Sequence, residues 1–325
     1  MDIVSIIIPT YKRSIFLKRA IDSVLKQSYK NIEIIVVDDN FCNSIERKKT
    51  EEIMLNYAKE KKIKYLKNKN NLGGALSRNE GIKIATGKYI SFLDDDDEYL
   101  SSKIEKQLEF YKEKFKDKRN GFIFCQSKVF DENNKEIKKN RIMINGNEEG
   151  MFEILKTGFT STGTLFIPKE ILIKVNGFEK LICGQEWYLM LKILFEGYEC
   201  YSMADELLIY YEHKNERIST NLKKIEGEKN IYEIKKKYIN NLNLEKQNEL
   251  HYFNNIELAR QHFQFKKIEG ISYLKTALKY KKIKVKDLIK LMVNYFCSNA
   301  FKLKLIEITY AIENKKKLKI KKIKE

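Results

Sequence analysis

Proline is nearly missing from this chain, with 2 in 325 residues, and there are only 14 glycines. That scarcity excludes proline-rich spacers, collagen-like repeats and low-complexity linkers. Cysteine is sparse and poorly spaced for chemistry. The five, Cys42, Cys125, Cys183, Cys200 and Cys297, form no CxxC pair, which argues against a zinc ribbon or a disulfide framework and for a reducing compartment. No GxGxxG and no GxxxxGKS/T occurs, so neither a dinucleotide fingerprint nor a P-loop is present. No uninterrupted apolar stretch approaches the roughly 20 residues of a membrane helix. The start, Met1-Asp2-Ile3-Val4, lacks the basic flank and apolar segment of a secretory leader, so a cytoplasmic protein is expected.

What the chain does have is apolar bulk and positive charge. Hydrophobic residues make up 43% and aromatics 12%, enough to build a substantial core and to exclude wholesale disorder. The net charge of +18 implies attraction to an anion, whether nucleic acid, anionic lipid or a phosphorylated substrate, unless a lysine-biased genome alone produced it.

The stretch that organises the rest is Tyr89-Ile90-Ser91-Phe92-Leu93-Asp94-Asp95-Asp96-Asp97-Glu98. The apolar run reads as a buried strand. The aspartates cannot share that burial unpaired, so they belong at its carboxyl end, in a cleft. Carboxylates so crowded repel one another unless a cation sits among them. A hard divalent ion such as Mg2+ or Mn2+, held by one or two carboxylates and substrate phosphates, fits that need. A solvated acidic turn is the plain alternative.

Earlier in the chain the same pattern repeats. Val4 to Ile8 reads as a strand stopped by Pro9. Ser14 is placed to cap a helix whose apolar face is Leu17, Ala20, Ile21, Val24 and Leu25. Ile32 to Val37 is a second buried strand ending in Asp38-Asp39-Asn40, and Ile63, Tyr65 and Leu66 mark a third. Ala75 to Thr86 reads as a helix closed by Gly87. Strand and helix alternate throughout, which predicts an α/β fold with a parallel sheet covered by helices. Ligands of such sheets bind beyond the carboxyl ends of the strands. Thr10-Tyr11, Asp38-Asp39 and Asp94 to Asp97 all fall there.

These segments carry a resemblance. Val4-Ser5-Ile6-Ile7-Ile8-Pro9-Thr10-Tyr11, Glu33 to Asp39, Asn71-Leu72-Gly73-Gly74, Ser77-Arg78-Asn79-Glu80-Gly81-Ile82, Ala85 to Ile90 and Phe92 to Asp97 resemble family 2 glycosyltransferases of the GT-A fold, of the bacterial cell-surface polysaccharide type. The likeness spans roughly residues 3 to 220. It implies a GT-A domain over 1–220, with a Rossmann-like nucleotide-binding half (1–98) and an acceptor half (99–220), followed by a helical, lysine-rich region (221–325).

The resemblance also implies roles. Pro9, Thr10 and Tyr11 would flank the nucleobase, the tyrosine ring covering it. Asp38 would accept from the uracil imide. Arg78 would hold the base or the diphosphate, and Asn71 would lie beside the nucleotide. Asp94 and Asp96 form the DxD motif. Asp94, with Asp95, would face the nucleotide's ribose and sugar, and Asp96 would bind Mn2+ or Mg2+. Asn40-Phe41 stands where the family has Gly-Ser. Glu186, in Cys183-Gly184-Gln185-Glu186-Trp187, takes the position of the catalytic base with one extra methylene, Gln185 replacing the first acid of the usual pair. An acid at a helix start also complements the helix dipole without any catalysis. His213 matches a residue that closes over the diphosphate or ligates the metal.

In the acceptor half, Ile104, Leu108 and Tyr111 predict a helix, Gly121 to Cys125 a strand, Val129 to Ile142 a hairpin and Thr162 to Pro168 a strand ended by proline. From Asn221 only helices are expected, with Tyr252 to Phe263 and Ile271 to Leu278 as a hairpin near Gly270. His251 and His262 are expected to be structural. The end of the chain, from Lys302, interleaves nine lysines with three glutamates and apolar residues. That pattern suits an anionic membrane surface, here the inner face of the cell membrane, or packing on the catalytic domain.

The function these expectations converge on is a metal-dependent, inverting transferase. It would move a hexosyl or N-acetylhexosaminyl group from a nucleotide-sugar donor, a UDP-sugar, to a glycan or lipid-linked oligosaccharide acceptor. A nucleotidyltransferase would require a glycine-rich basic loop, which Pro9-Thr10-Tyr11 is not. A nucleic-acid-binding protein would leave the clustered aspartates unexplained, so no nucleic-acid partner is expected.

Overall fold

The β-branched run at the start of the chain forms a strand in the computed structural model, which describes residues 2–117, 120–137, 142–158, 160–212, 223–265 and 268–281. Strand β1 (Val4–Thr10) sits between β2 (Ile32–Asp38) and β4 (Tyr89–Phe92), and β3 (Ile63–Lys67) borders β2; all four are parallel. The connections are α1 (Ser14–Leu25), α2 (Ile45–Leu55) and α3 (Gly74–Ile84), the predicted alternation. Val4, Ile6 and Ile8 on one face of β1 join Leu17, Ile21 and Val24 of α1 in a core with no exposed surface. Ile7, on the other face, meets α3 at Gly81. Each such side chain contributes about 1.5–3 kcal/mol by leaving water.

The second half of this unit supplies β5 (Glu98–Tyr99), α4 (Lys103–Lys114), β6 (Gly121–Phe130), β7 (Glu136–Ile137), α5 (Asn147–Lys156), β8 (Leu165–Pro168), α6 (Lys169–Lys174), α7 (Gln185–Phe195) and β9 (Glu199–Tyr211). The sheet order is β3-β2-β1-β4-β8-β6-β9-β5, with β7 paired to β6. Strand β8 runs antiparallel to both β4 and β6, so the sheet is mixed, its first four strands parallel. The fold class is α/β as expected, with the helical part following.

Several local expectations are corrected. Pro9 does not stop β1. It pairs with Val37, and Thr10 with Asp38. The β4 ladder ends at Ile7–Phe92, so on that side Pro9 has no partner to forgo. Ser14 does not cap α1. The capping position is Arg13, without a side-chain bond. Helix α3 stops at Ile84, three residues before Gly87. Gly87 is required for a different reason: a Cβ there would lie 2.4 Å from Ser5 Oγ and 2.7 Å from the Ser5 backbone nitrogen. The hairpin is real but short, β6 and β7 closing around Asn134 in the left-handed region. Thr162–Thr164 is a single 3-10 turn, and β8 begins only at Leu165.

The chain divides into two compact units, Met1–Arg217 and Ile218–Glu325. The second contains α8 (Lys223–Ile239), α9 (Leu244–Gln264) and α10 (Gly270–Tyr280). Ala259 and Phe263 pack with Ile256, Tyr273 and Leu274, the predicted helix hairpin. His251 bonds the Tyr232 hydroxyl at 2.8 Å, and His262 pairs with the Leu258 carbonyl at 2.7 Å. Both are used in helix packing. The lysine-rich tail lies outside the described residues.

Candidate active site

The carboxyl ends of β1, β2 and β4 carry the polar clusters, and side chains tie them together. At β1, the Thr10 hydroxyl donates to Asp95 Oδ2 at 2.7 Å. Tyr11, the next residue, is 36% exposed, so its ring is available for stacking. Lys12 adopts φ +56°, a left-handed conformation costly for a non-glycine residue. Its N–H donates to Asn40 Oδ1 at 2.9 Å, which joins the β1 and β2 loops.

The two adjacent acids at the end of β2 do different work. Asp38 has no exposed surface. It accepts from the Tyr65 hydroxyl at 2.6 Å and from the Asn40 N–H and Nδ2 at 2.9 and 2.8 Å, with Arg47 Nε at 3.3 Å. Burial outweighs these partners and raises its carboxyl above the ordinary value. Asp38 is thus enclosed by protein partners, and the expected contact with a uracil imide would need one of these bonds to give way. Asp39 instead organises the loop before α3. Its oxygens accept from the N–H of Leu72 and of Gly73, both at 2.8 Å, and from Asn71 Nδ2 at 2.9 Å. Asn71 therefore stands at the mouth of the site with its amide held by Asp39.

The acidic turn after β4 starts where Leu93 N–H donates to the Ile7 carbonyl and closes with Asp97 N–H on the Asp94 carbonyl. Asp94 is the most open of the four, and Arg78 of α3 donates to it at 2.5 Å. Arg78 is buried, lies 5.6 Å from the Phe178 ring, and has an unpartnered Nε. Asp95 and Asp96 are each 5% exposed. Arg13 Nη1 reaches Asp96 at 2.6 Å and Asp95 at 3.6 Å. Burial, then the charge of Asp96, pushes the Asp95 carboxyl up to about 7. Arg19 donates to the Asp96 carbonyl at 2.6 Å and stacks 4.0 Å over the Tyr211 ring. The Tyr211 N–H reaches Asp97 at 3.2 Å, so the end of β9 is fastened to the turn. His213, two residues on, lies outside the described residues.

Helix α7 brings the last predicted residue. Gly184 at φ +72° turns the chain so that Gln185 and Glu186 open the helix. Trp187 Nε1 donates to the Ile154 carbonyl at 2.7 Å, anchoring the first turn to α5. Upstream, Asn79 of α3 bonds both the N–H and the carbonyl of Phe178, each at 2.8 Å. A Cβ on Gly177 would lie 2.4 Å from Asn79 Oδ1, so only glycine admits that pair. Gln185 Oε1 would touch a Cβ placed on Gly74, next to Arg78. Desolvation raises the Glu186 carboxyl; its own N–H and the charge of Arg78 lower it, and Asp94 raises it. Glu186, Arg78 and Asp94 thus share one electrostatic neighbourhood.

The donor set suits a divalent cation in part. Two buried carboxylates, Asp95 and Asp96, already share one guanidinium, and two carboxylates plus phosphate oxygens are a usual set for Mg2+. Among the described residues no three His, Cys, Asp or Glu side chains converge as a complete cage. Reading the sequence missed Arg13 and Arg19, and it placed Asp39 at the strand end without a role of its own. The signal for Arg13 was available, since it belongs to the loop that Pro9 opens, but its carboxylate partners lie 83 residues away.

Comparison with known proteins fits this geometry. Residues 5–178 match Glycosyl transferase family 2. An uncharacterised glycosyltransferase of Methanocaldococcus jannaschii is 33% identical over 218 residues, 66% of this chain and 71% of that protein. The amylovoran biosynthesis glycosyltransferase AmsB of Erwinia amylovora is 28% identical over 228 residues, 67% of this chain and 75% of that one. Matches to longer Rickettsia glycosyltransferases cover 20% of those proteins or less. The structure of S. aureus TarS residues 1–349 with UDP-GlcNAc superposes with a TM-score of 0.60 at 19% identity, over 90% of this chain and 79% of that one, a likeness of fold. With its family pattern running from β1 through the acidic turn to the Phe178 contact, the chain belongs to glycosyltransferase family 2.

Proposed function

We propose that the chain transfers a hexosyl or N-acetylhexosaminyl group from a UDP-sugar, with inversion, to a hydroxyl of a glycan or lipid-linked oligosaccharide. The observation that carries this reading is the Arg78–Asp94 pair at the carboxyl end of the sheet, with Gln185, the neighbour of Glu186, beside Arg78 across Gly74. TarS structures hold UDP or UDP-GlcNAc, and one relative is named for amylovoran biosynthesis, which supports a UDP-sugar donor and a glycan product.

In this reading Pro9 and Thr10 shape the base pocket, and Tyr11 stacks on the base. Asn71, held by Asp39, lines its other side. Arg78 donates to the diphosphate or base through its guanidinium, beside Asp94. Asp94 orients the ribose or sugar. Asp96 would hold Mn2+ or Mg2+, which when bound neutralises charge on the departing diphosphate; Asp95, expected from the sequence to face the nucleotide, shares Arg13 with Asp96 and would join it at the metal. Glu186 takes the proton from the acceptor hydroxyl; that oxygen bonds to the anomeric carbon as the bond to the diphosphate oxygen breaks. A raised carboxyl suits a base, because it holds the proton more strongly at the moment of transfer. One displacement with no protein nucleophile gives inversion. His213 is proposed to ligate the metal or to close over the phosphates.

Among the described residues no helix is long and apolar enough to cross a membrane. Association with an anionic surface through the lysine-rich tail is proposed from sequence alone.

The test is turnover against a panel of UDP-sugars with an oligosaccharide acceptor, with and without a chelator, and determination of the product anomer by NMR. Release of UDP with a product of inverted configuration is expected. A product of retained configuration, or activity only with nucleoside triphosphates, overturns the reading.

A further inference from the structure

Arg13 is the residue of the site that the proposed chemistry does not use. It stands between β1 and α1, in the first unit. Its side chain is 39% exposed while the carboxylates it touches, Asp95 and Asp96, are about 6% and 7% exposed. The guanidinium thus covers the pair from the solvent side. Its own helix makes no use of the side chain, which forms no cap bond. The turn has other fixtures. Arg19 holds the Asp96 carbonyl, Thr10 holds Asp95, and the Tyr211 N–H holds Asp97. Arg13 and Arg19 are both long and partly exposed, at 39% and 35%, but Arg19 grips the backbone of the turn while Arg13 touches only carboxylate side chains, so Arg13 can swing without unmaking the turn.

Two positive centres cannot occupy the same carboxylate oxygens. A divalent cation that takes Oδ2 of Asp96, alone or with Oδ1, displaces the guanidinium bonded there at 2.6 Å. The displaced guanidinium then needs an anion, and a planar fork pairs well with phosphate oxygens. The donor's diphosphate is the anion delivered to this place.

Resting on the donor and metal reading above, we propose that Arg13 is an internal counter-ion for the Asp95–Asp96 pair that gives way to a divalent cation only when a nucleoside diphosphate arrives to receive it. Cation and nucleotide binding are then coupled: each tightens the other, by the same factor, as linkage requires. The enzyme without donor holds its carboxylates neutralised and takes up little metal.

The experiment is an Mn2+ titration read by the EPR signal of free Mn2+, on the full chain with and without UDP, for the wild type, Arg13→Gln, Arg13→Lys and Asp96→Asn. Melting temperatures check that each variant folds. The wild type alone is expected to bind Mn2+ weakly, with UDP tightening it about tenfold or more, within the 5–150-fold usual for coupled sites. Arg13→Gln alone should bind Mn2+ at least severalfold more tightly than the wild type, and the gain from UDP should shrink. Arg13→Lys should keep part of the coupling. Asp96→Asn should lose the binding in both conditions. Equal Mn2+ affinity of wild type and Arg13→Gln, with Asp96→Asn still abolishing it, overturns the proposal alone. No Mn2+ binding by any form, while UDP still binds, overturns it together with the metal reading.

Discussion

Two buried carboxylates mark opposite ends of the same sheet, and they are treated in opposite ways. Glu33 enters β2 at the amino end. Burial pushes its carboxyl up, but the Lys64 ammonium at 2.6 Å, the Ser5 hydroxyl and the Thr86 N–H outweigh it and bring the group down to about 2. Asp95 leaves β4 at the carboxyl end, with one hydroxyl and a guanidinium at 3.6 Å, and stands near 7. One end has its charge satisfied by the protein; the other is left short. Under-compensated carboxylates cost stability, and they persist where a ligand completes them.

Substitutions can break this contrast, and the largest expected effect is on chemistry. Glu186→Gln keeps size and hydrogen bonding but takes no proton. Transfer should fall about 10²–10⁴-fold, with UDP affinity and melting temperature nearly unchanged. Glu186→Asp, one methylene shorter, should keep part of the rate. Because burial raises the Glu186 carboxyl, the acid limb of the wild-type rate profile should lie above the ordinary glutamate range. Near-normal transfer by Glu186→Gln would return α7's acid to a dipole-complementing role.

At the satisfied end the expectation is reversed. Glu33→Gln should lower stability by about 2–3 kcal/mol, because charge-assisted bonds are lost and buried donors are left over, while UDP affinity is untouched. Since the folded carboxyl is depressed, its contribution is complete above about pH 4.5 and is lost as pH falls towards about 2. Thermal melts of wild type and variant should therefore converge in acid. An unchanged melt at neutral pH would contradict the contrast.

A buried cation sharpens the point. Lys103 has no exposed surface and donates to Ser91 Oγ at 3.1 Å and Gln107 Oε1 at 2.6 Å, with the Tyr99 ring 4.0 Å away. Desolvation brings its ammonium down to about 8. The unfolded chain then holds a proton that the folded one does not between about pH 8 and 10.5, so stability from this group rises with pH across that window. Lys103→Met should add about 1–2 kcal/mol at pH 7 and abolish the alkaline rise. Calorimetry over pH 7–10 measures both. The smallest effect is expected of Asp95→Asn, which should leave the metal-free melt within about 1 kcal/mol of wild type or slightly above it, since an amide replaces an under-compensated charge. A large loss there would show that Asp95 resembles Glu33 after all.

The parallel half of the fold was legible because β1, β2 and β4 are continuous apolar runs and α1 carries a clean stripe. The long β9 was not, because its burial alternates irregularly across 13 residues, with polar positions at both faces. The 3-10 turn before β8 and the short α6 carry no periodic signal at all. In the site, the clusters at the strand ends were legible, but the division of labour between Asp38 and Asp39 was not. It depends on Tyr65 and Arg47 arriving from β3 and α2, and local spacing does not reveal such partners. Arg13 and Arg19 were hidden for the same reason: each meets the acidic turn across about 80 residues of chain.

The two hydrogen bonds between Asn79 and Phe178 have a consequence for the proposed reaction. A side-chain amide there does what a neighbouring strand would do, pairing with one N–H and one carbonyl. It sets how far the segment leading to Glu186 stands from the helix that carries Arg78. A shift of about 1 Å between reacting groups is enough to change rates on the order of a hundredfold. Water is smaller than a sugar acceptor and less constrained in orientation, so it tolerates such a shift better. In the proposed reaction the length of this one amide strut would bear on how the donor is divided between acceptor and water.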